Sequence, residues 1–78
     1  MTNTKRFIHK GIIVIYDANY SDINEIISIV DNLLEKFHKD LKNVETIDFS
    51  EYDLTYPIID GKVYEYNGHK LKRYIENK

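Results

Sequence analysis

The chain has 78 residues, a formal net charge of −2 and no cysteine. One small domain is all that this length supports, with a core that buries roughly 60% of the unfolded surface. The missing cysteine excludes disulfides, thiolate metal sites and thiol redox chemistry. The balance of charge gives no general attraction to nucleic acid.

Residues 1–6, MTNTKR, are polar and are expected to form a flexible N-terminus, with 7–78 as a single α/β domain. No apolar run approaches the ~20 residues of a membrane span. The opening is also too polar for a signal peptide, so a cytoplasmic protein is expected. From Phe7 to Tyr16 the chain reads FIHKGIIVIY. The unbroken β-branched and aromatic run Ile12–Tyr16 predicts a strand, and Gly11 marks a bulge or the strand's true beginning. Asp17–Tyr20 follows as a turn.

The spacing of Ile23, Ile26, Ile27, Val30, Leu33, Leu34, Phe37 and Leu41 predicts one amphipathic helix over 21–42. Asp22, or Ser21 before it, is the expected N-cap, and Glu25 three residues on resembles the second half of a capping box. Val44–Phe49 predicts a strand parallel to the first, joined to it by a right-handed crossover. Asp60-Gly61 between two β-rich runs predicts a type I′ hairpin in which Ile58 faces Val63, Tyr56 faces Glu65 and Pro57 faces Tyr64. A closing helix is expected over 69–78, carried by Leu71, Tyr74 and Ile75. The resulting order is β-α-β-β-β-α, a two-layer sandwich with helices mainly on one face of a small mixed sheet.

The run Ile12–Tyr16, the triplet Thr55-Tyr56-Pro57, the turn Asp60-Gly61-Lys62 and the ending HKLKRYIENK together resemble the glutaredoxin and thioredoxin-like superfamily. The resemblance covers most of 11–78 as a pattern of elements with few matching letters. It implies that Pro57 takes the place of the family's cis-proline, beside the start of the long helix. The family's cysteine pair would fall near Tyr20 and Ile23, where this chain has none, so a redox-inactive variant is implied. The stretch between Pro57 and Asp60 is shorter than in that family, and a helix that many members carry is missing. A β-α-β-β-β-α sandwich of another lineage, such as the ribosome-hibernation-factor type, shares the same pattern.

Catalytic residues and cofactors are not indicated. Asp17 and Asp48 sit near the carboxyl ends of the two strands expected to be parallel, where converging carboxylates hold Mg²⁺ in some open α/β sheets. No phosphate loop accompanies them, and the plainer reading is that Asp17 starts a turn and Asp48 is an exposed strand residue. His9, His38 and His69 lack metal-ligand spacing. Seven tyrosines are the stronger feature. The hairpin is apolar on both faces: Leu54, Tyr56, Ile58 and Val63 on one, Pro57, Ile59, Tyr64 and Tyr66 on the other. Tyr52, Tyr56, Pro57, Ile59, Tyr64 and Tyr66 therefore stand as a partner-binding set, for another protein or a second copy in a homodimer. The alternative is that these rings fill the core. A second functional alternative uses the basic ends, Lys5, Arg6 and Lys10 with Lys70, Lys72 and Arg73, for nucleic acid or the ribosome.

Overall fold

The computed structural model describes residues 3–74. Its elements are β1 (Thr4–His9), β2 (Ile12–Asp17), α1 (Ile23–Lys36), β3 (Thr46–Asp48), β4 (Ile58–Ile59), β5 (Lys62–Tyr66) and β6 (Leu71–Arg73). The six strands lie in chain order across one sheet. Only β2 and β3 run parallel; every other neighbouring pair is antiparallel. The helix connects the parallel pair, because a crossover there needs a long connection whereas a hairpin does not.

The molecule is small and mixed α/β, as expected, but its order is β-β-α-β-β-β-β. Two segments account for the difference. Lys10 and Gly11 both have positive φ, +53° and +79°, which is the two-residue type I′ geometry. The run FIHKGIIVIY is therefore a hairpin: Gly11 marks the true beginning of the Ile12 strand and not a bulge, and Thr4–Arg6 are part of β1 instead of a frayed end. At the other terminus the expected helix over 69–78 is replaced by β6; residues 75–78 lie outside those described. Gly68 at φ +91° reverses the chain, and Asn67 Oδ1 accepts the N–H groups of His69 and Lys70 at 2.9 and 2.8 Å. Three apolar residues are too few to nucleate a helix against that turn. The peptide bonds among the described residues are all trans, that of Pro57 included. This differs from the cis geometry implied by the resemblance to glutaredoxins.

The Asp60-Gly61 hairpin has the expected register. Ile58 pairs with Val63 and Ile59 with Lys62. The Tyr64 N–H then donates to Pro57 C=O at 2.9 Å, and the Tyr66 N–H to Thr55 C=O at 2.9 Å, extending the same register beyond the formal strands. Pro57 takes part as an acceptor only, which its ring permits. Asp60 does more than turn the chain. Its Oδ1 accepts the N–H groups of Glu45 and Thr46, both at 3.0 Å, and so fixes the start of β3.

Alternation divides the sheet into two faces. Ile12, Val14, Ile47, Ile59 and Tyr66 point toward α1, whose Ile26, Val30 and Leu33 are fully covered; Leu41 and Phe49 complete this core. The shortest dimension of the molecule is 20 Å, which is one sheet plus one helix at about 10 Å per layer.

The helix is tied down along both flanks of its apolar stripe. On one flank Asp31 Oδ1 meets His9 Nε2 at 2.7 Å and Lys10 Nζ at 2.9 Å, at the β1–β2 turn. On the other, Asn32 Nδ2 donates to the Tyr66 hydroxyl and to Gly68 C=O, and Lys36 Nζ donates to Gly68 C=O at 3.1 Å. The hydrogen bonds from His9 and then Lys10 hold the Asp31 carboxyl below its usual value of 3.8, and Asp31 in turn raises Lys10. At the helix start Asp22 is the N-cap and accepts the Glu25 N–H at 3.1 Å. Glu25 does not close a capping box; its carboxylate takes the hydroxyl of Tyr20, whose pKa this bond pushes up to about 12. The helix stops at Lys36, earlier than the pattern predicts. The last apolar residues follow in a separate turn, where the Leu41 N–H donates to Phe37 C=O at 2.9 Å before Asn43 takes positive φ.

Two predictions arise from these ties. Asp22→Ala removes the cap and is expected to cost about 1 kcal/mol, read as a shift in urea midpoint, with Asp22→Ser retaining most of it. Asp31 titrates lower folded than unfolded, so its contribution is present above about pH 4 and is lost as pH falls through the folded value. Asp31→Asn should therefore be less stable than the parent at neutral pH. It should also lose less stability on acidification below about pH 4, measured by chemical denaturation across pH.

Candidate functional site

The face of the sheet opposite α1 carries Arg6 and Ile8 from β1, Ile13 and Ile15 from β2, Thr46 and Asp48 from β3, Ile58 from β4, Val63 and Glu65 from β5, and Lys72 from β6. Register fixes this grouping. Ile8 pairs with Ile13 and Arg6 with Ile15; Ile15 pairs with Asp48, which pairs with Ile58, which pairs with Val63. No helix lies over this face among the described residues. Ile13, Ile15, Ile58 and Val63 are half-buried by their neighbours alone, while Ile8 is 73% exposed.

At the β5–β6 end of the face three tyrosines gather. Tyr56 meets Tyr52 and Tyr74 edge-on, with ring centroids 6.5 and 5.8 Å apart. The Tyr74 N–H donates to Val63 C=O at 2.9 Å, which continues the β5–β6 ladder and holds that ring on this side. With Val63 the three rings line an open cleft of about 350 Å³. Tyr52 and Tyr74 are 53% and 46% exposed. Asp53 orders the loop that carries Tyr52 and Tyr56. Its carboxylate accepts both the hydroxyl and the N–H of Thr55, and these bonds lower its pKa.

The six residues expected to form one partner surface are thus divided. Tyr52 and Tyr56 lie on the open face. Pro57, Ile59 and Tyr66 are buried under α1, so they belong to the core. Tyr66 receives Asn32 and meets Phe37 edge-on at 6.2 Å. Tyr64 is half-buried on the helix side, with the Arg73 guanidinium 5.8 Å from its ring centre. Tyr74, assigned from the sequence to a helical stripe, completes the exposed cluster. Ile8 also escaped notice, because a pattern that reads 7–16 as one strand gives no reason to expect an exposed isoleucine on an edge. The signal that would have found it is Lys10-Gly11, a second turn dipeptide between β-rich runs.

The two basic segments are not brought together. Lys5, Arg6 and Lys10 lie on or beside β1, and Lys70, Lys72 and Arg73 on or beside β6. These strands are opposite edges of the sheet, roughly 24 Å apart at ~4.8 Å per strand. Lys10 is engaged by Asp31, and Lys72 lies 3.8 Å from Glu65.

Asp17 and Asp48 each serve their own turn. Asp17 Oδ1 accepts the Asn19 N–H at 2.8 Å, and Asp48 Oδ1 accepts both the N–H and the hydroxyl of Ser50 at 2.7 and 2.6 Å. Among the described residues no group of three His, Cys, Asp or Glu side chains gathers as a cation site. The nearby cleft between the start of α1 and the ends of β2 and β3 is small, about 160 Å³, and includes Asp17 but not Asp48. Asp22 and Glu25 place two carboxylates at that helix start, which repel the phosphate such a position attracts in other folds.

No protein-family model, curated protein or solved structure matches the chain. Among the described residues no helix is long and apolar enough to cross a membrane.

The division between core and surface tyrosines is measurable. Tyr66→Ala should cost about 3–5 kcal/mol in urea unfolding. Tyr52→Ala should stay within about 0.5 kcal/mol of the parent.

Proposed function

We infer that this protein is a non-catalytic interaction module that binds another protein through the open face of its sheet. The observation that carries this reading is the pair of apolar patches on that face, Ile8, Ile13 and Ile15 on one side of Thr46 and Asp48, and Ile58 and Val63 with Tyr52, Tyr56 and Tyr74 on the other, which no helix covers among the described residues. Apolar patches of this kind mark contact surfaces, and tyrosine supplies large, stiff contact area with a hydroxyl at its tip. The flanking Arg6, Glu65 and Lys72 provide a polar rim. The absence of cysteine removes thiol–disulfide exchange, so the glutaredoxin-like pattern in the sequence is read as a redox-inactive one.

Nucleic acid is the second reading, and the separation of the two basic segments across the width of the sheet counts against it. A duplex or single strand would have to engage two opposite edges at once.

The test is a double variant, Ile15→Ser with Tyr56→Ser, compared with the parent for self-association by sedimentation and for cross-linked capture of partners. Association or capture is expected in the parent and lost in the variant, with amide NMR spectra showing both folded. A parent that stays monomeric up to millimolar concentration, and captures nothing that the variant does not, would sink the reading.

A further inference from the structure

We propose that the outer edge of β1 is a strand-addition site for an extended acidic segment of another protein. The proposal stands on backbone geometry and edge charge; it shares the Arg6 and Ile8 side chains with the open face, but the outward N–H and C=O groups of β1 that it uses play no part in that surface.

The N–H and C=O groups of β1 alternate in direction. The two-residue turn closes on His9 and Ile12, and at the far end the Ala18 N–H donates to Asn3 C=O at 3.0 Å. The odd-numbered residues therefore bond β2, and Thr4, Arg6 and Ile8 turn their N–H and C=O groups outward. Among the described residues no strand pairs on that side. At six residues β1 equals β2 as the longest strand, and it contains no proline. The opposite edge, β6, has three residues. Proteins commonly blunt an edge by keeping it short or charged, and β6 is both.

Side chains decide the occupant. Lys5 projects on the helix side of β1 and Arg6 on the open side, and both are exposed. Among the described residues neither has a carboxylate within 4.0 Å, whereas Lys10 is already held by Asp31. A second copy of β1 would add its own Lys5 and Arg6 to an edge that already carries two cations and would bring no carboxylate to meet them, which is repulsive. An incoming strand with carboxylates opposite Lys5 and Arg6 gains cross-strand pairs on both faces. Ile8, 73% exposed, offers an apolar contact two residues further along on Arg6's face. The fitting partner has neighbouring acidic residues followed or preceded by a β-branched pair, in extended conformation. Main-chain bonds supply the docking and these side chains the selectivity.

The test uses the acetylated, amidated peptide Thr-Ile-Val-Glu-Glu-Thr. In antiparallel alignment it places its glutamates opposite Arg6 and Lys5 and its isoleucine opposite Ile8. In amide-resolved hydrogen exchange of the full chain, the Arg6 and Ile8 amides should gain protection on titration. The same peptide with both glutamates replaced by lysine should bind at least about tenfold more weakly. The variant Arg6→Glu, a surface change that leaves every bond to β2 in place, should reverse or erase that preference. Raised salt should reduce it. Four results would overturn the proposal. These are no binding of the acidic peptide at millimolar concentration, equal binding of the two peptides, shifts confined to the open face, or Arg6 and Ile8 amides already protected by pairing with a second copy. The last two would leave the open-face reading standing, so the two ideas fail separately.

Discussion

One burial holds this small protein together. The stripe Ile26, Val30 and Leu33 is removed from water against Val14, Ile47 and Ile59. At roughly 25 cal/mol per Å² no other contribution in a chain of this size compares with it. Everything else positions that contact. The parallel pair β2–β3 gives the helix a floor of buried aliphatic residues, and the hairpins on either side widen it. Polar ties on both flanks, Asp31 to the first turn and Asn32 with Lys36 to Gly68, restrict how the helix can rotate or slide on the sheet. The apolar contact favours burial in many orientations; the hydrogen bonds select one.

A single helix can cover only one side. With six strands and one helix among the described residues, the second side of the sheet is left to its own side chains. Tyr52, Tyr56 and Tyr74 shield part of it by meeting edge to face. The isoleucines toward β1 have no such cover. The functional reading and the packing therefore have the same origin, a fold with one more face than it has helices.

The long helix, the strand after it and the Asp60-Gly61 hairpin were legible in the sequence, because each has a strong local signal: a 3.6-residue period, a β-branched run, a turn dipeptide needing positive φ. The two errors of architecture came from weak local signals. Lys10-Gly11 is a type I′ turn without the usual Asn or Asp at its first position, so it reads as a bulge or a strand start and the hairpin partner before it goes unseen. Leu71, Tyr74 and Ile75 imitate helical spacing, whereas the cause of β6 lies upstream, in Asn67 and Gly68. The candidate site was half legible. Alternation along the hairpin sorted its strand residues correctly into two faces but misplaced Leu54, which lies in the preceding turn and packs against the core, and it gave no way to know which face the helix would take. That was decided by Tyr66 reaching Asn32, 34 residues away in the chain, and Phe37.

Asp60 links distant parts of the backbone through one side chain. It supplies a left-handed residue to the β4–β5 turn and accepts hydrogen bonds from Glu45 and Thr46, which lead into the parallel strand. Closing the long crossover loop and closing the tight hairpin are consequently not independent events. Whichever forms first presents half of the other's anchorage, and opening either one loosens both. A two-residue reversal at the surface thus acts as a clasp beside the least local strand pairing in the sheet, β2 with β3.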